Sequence, residues 1–155
     1  MNMRVLEKSR KKVRPGDIFA FQMPDGLFRF GRVIRTDATV GGFPNCVLIY
    51  VYRPAQMTKL PIPPLRKSEL LVAPLATNRQ PWLKGYFQTM ERGELNQHDI
   101  LECHCFWDPA RLRYVNDDGR VLAERIEPCG FDGLGSYRTI DDEISKALGI
   151  ALAPD

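Results

Sequence analysis

VRPGDIFAFQMPDGLFRFGRVI, residues 13–34, is the stretch whose reading decides the fold. Two short apolar runs, Asp17–Met23 and Leu27–Ile34, flank Pro24-Asp25-Gly26. Phe19 and Phe21 alternate in the first run, Phe28 and Phe30 in the second. A period of two is what a half-buried strand requires, because successive side chains point to opposite faces. Pro24 presets φ for a turn and Gly26 accepts the positive φ that closes it. The stretch therefore predicts a β-hairpin that carries four phenylalanines into a core. Gly31 interrupts the second strand, where a bulge or a close backbone approach is expected.

Working outward, residues 1–12 read as a flexible lead-in, with Lys8, Arg10, Lys11, Lys12 and Arg14 clustered around its end. No aromatic residue interleaves these charges to stack on bases. The stretch Thr36–Asn45 reads as a loop. Cys46–Tyr52 is a continuous β-branched and aromatic run, which predicts a strand buried on both faces and ended by Arg53-Pro54. Further strands are expected at Glu69–Val72, Trp82–Met90 and Asp99–Trp107, with loops at Ala73–Gln80 and, extended by its prolines, Leu60–Leu65. A second hairpin spans Arg111–Ala123 and turns at Asn116–Gly119. One helix follows Phe131–Tyr137. Thr139 is expected at its N-terminus and Gly149 past its end, with Ile140, Ile144, Ala147 and Leu148 as the apolar stripe. Asp142 and Lys146 are expected to pair on its wet face.

Together these segments predict an α+β fold: a strongly bent, mostly antiparallel, partly barrel-like sheet with one C-terminal helix packed on it. Its 155 residues are expected to form one domain. Twelve glycines and twelve prolines suit short strands and many turns. A net charge of +3 is well short of a dedicated nucleic-acid binder. The start has no secretory signal, and no apolar run is long enough to span a bilayer, so a cytoplasmic location without membrane contact is expected.

Cys103-His104-Cys105, with Cys46 and Cys129, invites a zinc reading. On a strand, however, Cys103 and Cys105 point away from His104, and the two-residue spacing of a zinc knuckle is absent. Buried thiols are the expectation, with no metal and no cofactor. No Ser or Cys stands in a nucleophile setting, Gly130–Gly135 lacks the residues that grip a phosphate, and Asp117-Asp118 suits a turn. Catalysis has no support in these residues.

The block VRPGDIFAFQMPDGLFRFGRVI resembles the opening of the bacterial immunity protein 26 family, with its basic lead, a GD-hydrophobic-F-A strand, a proline/aspartate/glycine turn and an aromatic strand ending in GRV. Gly85-Tyr86-Phe87, Gly133–Tyr137 and Lys146–Leu148 extend the resemblance over about residues 12–149. It implies a non-enzymatic inhibitor, made beside a polymorphic toxin in the bacterial cytoplasm, that binds the toxin and blocks it stoichiometrically. The alternative is a small β-rich module that binds nucleic acid through its basic arm and exposed aromatics. Aromatic residues in turn-like settings are the candidate partner-binding residues: Phe43, Trp82, Trp107 and Phe131, with Asp132 beside the last. Phe43 and Phe131, flanked by glycine, are preferred.

Overall fold

The computed structural model describes residues 1–155. The first hairpin forms where the alternation places it: β1 (Asp17–Gln22) pairs antiparallel with β2 (Phe28–Val40). Its four phenylalanines do not share one core. The register sets Ala20 opposite Phe30 and Gln22 opposite Phe28, and residues paired across a ladder point to the same face. Phe28 and Phe30 thus join Ile18 and Ala20 on one face, while Phe19 and Phe21 occupy the other.

Strand β2 continues through the stretch expected to be a loop. It turns at Gly41-Gly42 into β3 (Phe43–Gln56), which runs past Pro54. The two long strands slip register at several points, and each slip adds twist and bends the ladder. One slip falls beside Gly31, as expected, and close approach is also present. A Cβ built there would lie 2.2 Å from the Phe19 ring and 2.7 Å from the Tyr50 carbonyl oxygen. Within β3 the expectation for Cys46–Tyr52 holds. Val47, Ile49 and Val51 face one core, and Cys46, Leu48, Tyr50 and Tyr52 face the other.

The rest of the chain closes over these two faces. A short strand β4 (Leu75–Thr77) lies in the segment expected to be a loop, and the Glu69–Val72 segment contributes only a single bridge between Leu70 and Tyr52. Trp82 is not on a strand: residues Gln80–Leu83 form the helical turn α1, Gly85 breaks it, and β5 (Gln88–Arg92) follows. Pro81 near the start of α1 favours that turn, because the first helical turn has no use for its missing N–H. The five strands order as β4-β3-β2-β1-β5.

A second sheet, β8-β7-β6-β9, comprises β6 (Cys105–Asp108), β7 (Arg113–Val115), β8 (Val121–Leu122) and β9 (Cys129–Phe131). The hairpin from β7 to β8 turns where expected, whereas the strand expected from Asp99 begins only at Cys105. All strand-to-strand ladders are antiparallel except β6 with β9, and single parallel bridges join Thr39 to Asp118 and Ala76 to Leu134. Both sheets are open; neither closes into a barrel.

Helix α2 (Tyr137–Leu148) contributes Ile140 and Ile144 to the core that also holds Phe19 and Phe21. Ser136, not Thr139, is its N-cap: the Ser136 hydroxyl accepts the Thr139 N–H at 3.2 Å. Gly149 closes the C-terminus in the left-handed conformation, as expected. Ala147 is exposed, while Asp141 and Ser145 are buried beside Ile144. Lys146 pairs with Glu143, and Asp142 with Arg138.

Residues of the lead-in make contacts with the rest of the chain. Met3 is buried, and the N–H groups of Asn2 and Met3 donate to the Asp141 carboxylate at 2.9 and 2.6 Å. Leu6 and Ser9 donate to the carbonyls of Gly85 and Trp82. No helix is long and apolar enough to cross a membrane.

Candidate interaction surface

Four of the five residues singled out from the sequence are brought together, and the hub is Asp132. Its backbone N–H donates to the Trp107 carbonyl at 2.8 Å, and its carboxylate accepts the Gly41 N–H at 2.7 Å. The second bond ties the tip of the long hairpin to the end of β9. That approach requires glycine, since Gly41 sits at φ +62° and a Cβ there would lie 2.8 Å from Gly133 Cα. Phe43 stands beside this junction, 53% exposed on the hairpin. Trp107 and Phe131 are register partners across β6 and β9. Trp107 is half-buried against Tyr114, ring centroids 4.9 Å apart. Phe131 is 62% exposed.

Behind Phe131 opens a groove of about 560 Å³ between the β4 edge, β9 and the start of α2. Val72, Leu75, Trp107, Phe131 and Leu134 supply its apolar lining, with Arg125 and Glu143 among its charged residues. Exposed large apolar side chains beside a groove are the usual surface form of a protein-binding site. Trp82 is excluded from this surface. It is 2% exposed and packs edge-on against Phe19 and Phe87 at 5.3 and 5.2 Å, so its size serves the core.

A second constellation escaped the sequence reading. Buried Tyr50, His104 and Asp117, with half-buried Arg35 at the end, form a hydrogen-bonded chain between the two sheets. The Tyr50 hydroxyl lies 2.7 Å from His104 Nε2 and accepts the Leu101 N–H at 3.0 Å. His104 Nδ1 is 3.2 Å from Asp117 Oδ2, which also accepts Arg35 Nη1 at 2.7 Å. Proton bookkeeping assigns the histidine tautomer. The ionised Asp117 carboxylate can only accept, so Nδ1 carries the proton and donates to it; in the neutral imidazole Nε2 then accepts the Tyr50 hydroxyl proton.

Burial pushes the Asp117 carboxyl upward, but the hydrogen bonds from His104 and Arg35 outweigh it and hold the group down at about 2. Burial keeps the Tyr50 hydroxyl protonated far above the ordinary tyrosine range. With Tyr50 sealed in the core, the arrangement fastens one sheet to the other. Asp117 thus occupies the expected turn and serves as the anchor of this chain.

The four cysteines divide. Cys46 donates to the Phe43 carbonyl and Cys103 to its neighbour's carbonyl, while Cys105 and Cys129 face each other. Both ring nitrogens of His104 are taken by Tyr50 and Asp117.

A family model described as Immunity protein 26 matches residues 14–116, roughly two thirds of the chain. The match runs from the start of the first hairpin to the turn after β7. The similarities noted at Gly133–Tyr137 and Lys146–Leu148 lie outside it. No curated protein and no solved structure matches the chain.

Proposed function

The chain belongs to the immunity protein 26 family, and from that membership we propose that it neutralises one cognate toxin of a bacterial polymorphic toxin system by binding it in the cytoplasm. The family match is the observation that carries this reading. The inhibitor acts by occupancy, as a folded surface that covers the toxin's active site or a surface the toxin needs.

The contact surface is the aromatic rim around Asp132. Phe43 and Phe131 project from it, Trp107 supports it, and the groove behind Phe131 receives an apolar side chain of the toxin. Central aromatic residues that lose their water on binding dominate interface energetics. A platform held by backbone hydrogen bonds also lowers the ordering cost of association. The chain's mild positive charge gives no general attraction for a basic, nucleic-acid-seeking toxin, so recognition rests on shape and apolar contact.

Co-expression with the toxin domain encoded by the adjacent gene tests the reading: cells survive, and the two proteins co-purify. Phe43→Ala and Phe131→Ala each weaken the complex, by about tenfold or more if either residue is a hot spot, without unfolding the inhibitor. Survival and full affinity in both variants would move the contact surface elsewhere. Absence of rescue by the unaltered chain would reject the function.

A further inference from the structure

Cys105 and Cys129 are directly paired in the parallel ladder between β6 and β9, and their sulfurs are 3.3 Å apart. We propose that they form a reversible redox site, a dithiol that a low-molecular-weight disulfide oxidises to an intrachain disulfide, clamping β9 to β6 beneath the aromatic rim.

The backbone already suits the bond. Hydrogen-bonded strands lie about 4.7–4.9 Å apart, inside the roughly 4.4–6.8 Å Cα separation that disulfides span. Paired residues of a parallel ladder point to the same face. The sulfurs need to close by only about 1.2 Å to reach the usual bond length near 2.05 Å, a small side-chain rotation. The other two thiols point their hydrogen bonds to carbonyls, Cys46 to Phe43 and Cys103 to His104, and neither makes a sulfur–sulfur contact like that of Cys105 with Cys129.

Access sets the order of events. Cys129 is half-exposed and lines the groove, whereas Cys105 is sealed behind it and receives the Ile126 N–H at 3.4 Å. The Cys129 thiolate attacks one sulfur of the external disulfide, forming a mixed disulfide and expelling one thiolate. The Cys105 thiolate then attacks the Cys129 sulfur, forming the Cys105–Cys129 bond and expelling the second. The two protons lost by the protein end on the two released thiols. Two protein thiols are oxidised and one external disulfide is reduced. Burial, reinforced by the Cys105 thiol, pushes the Cys129 thiol up to about 12. Oxidation is therefore slow at neutral pH and accelerates with alkalinity.

The consequence falls on the rim, because Phe131 is the third residue of β9 and Trp107 is its partner on β6. Oxidation fastens this edge strand and slows its local opening.

The test treats the intact chain with oxidised glutathione at mildly alkaline pH, then denatures it, counts thiols and maps peptides. The proposal predicts a loss of two of the four thiols, one cross-link between residues 105 and 129, full reversal by dithiothreitol, and slower amide exchange across Cys129–Phe131 in the oxidised form. Cys105→Ser should stop the reaction at a persistent glutathione adduct on Cys129. Cys129→Ser, at the less buried position, should leave residue 105 unmodified. No thiol loss, adducts confined to Cys103, or a cross-link that survives Cys129→Ser would overturn it. The readout contains no toxin, so its outcome is independent of the proposed function.

Discussion

Tyr50 and Tyr52 sit two residues apart on β3, both fully buried in the same core. Removing one oxygen from each should have opposite consequences. The Tyr50 hydroxyl serves two partners, His104 Nε2 and the Leu101 N–H. Tyr50→Phe leaves both without their bond. An orphaned buried polar group costs about 1–3 kcal/mol. His104 is buried and bears the full penalty, whereas half-buried Leu101 can recover part of it from water. The expected loss is about 2–4 kcal/mol.

The Tyr52 hydroxyl has no hydrogen-bond partner. Its burial already carries a desolvation cost that Tyr52→Phe removes, and the ring, with Arg32 5.9 Å from its centroid, stays in place. The expected change is near zero or a gain of up to about 1 kcal/mol. Urea denaturation of the two variants beside the parent measures the contrast, with an unchanged m-value confirming comparable unfolding. Equal losses in the two variants would refute the assignment of the Tyr50–His104–Asp117–Arg35 chain as the fastening between the sheets.

Acid should weaken the same fastening. The folded-state pKa of Asp117 lies near 2, below its ordinary value of 3.8, so protons favour the unfolded chain. Its stabilisation is complete above roughly pH 5 and fades as pH falls through about 2; the stability gap between the parent and Asp117→Asn should narrow over that window, and a gap independent of pH would count against it. Gly31→Ala should cost about 1–3 kcal/mol or more, because the new methyl meets the Phe19 ring and a backbone carbonyl; a shift of denaturation midpoint below about 0.5 kcal/mol would contradict that packing. Asp141→Ala should release residues 2 and 3 from α2, seen as faster amide exchange at both N–H groups and a loss of about 2–4 kcal/mol; unchanged exchange would mean the lead is held by other contacts.

What could be read from the chain was local or strongly patterned. Alternation located the first hairpin, the unbroken run Cys46–Tyr52 announced burial on both faces, and Gly149 marked the end of α2. The misreadings came from local breakers passed over and from distant pairing. Trp82–Met90 alternates loosely enough to pass for a strand, but Pro81 just before it favours a helical turn and Gly85 separates that turn from a shorter strand. Strand β9 is three residues, Cys-Gly-Phe, with little strand character of its own; it exists because β6 offers a parallel edge.

The candidate surface was partly legible for the same reason. Glycine-flanked Phe43 and Phe131 are exposed, yet their association depends on Asp132 reaching Gly41, 91 residues away in sequence. The Tyr50–His104–Asp117 chain had no local signature, since its members come from three separate segments.

The most direct measurement is a titration of the purified chain against a fixed amount of the neighbouring gene's toxin domain, following residual toxin activity. Neutralisation by occupancy predicts a linear fall that reaches its floor at one inhibitor per toxin, with the toxin recovered intact after denaturing separation. Complete loss of toxin activity at a small fraction of one equivalent, or a toxin left chemically altered, would show that the chain works by turnover and contradict the account.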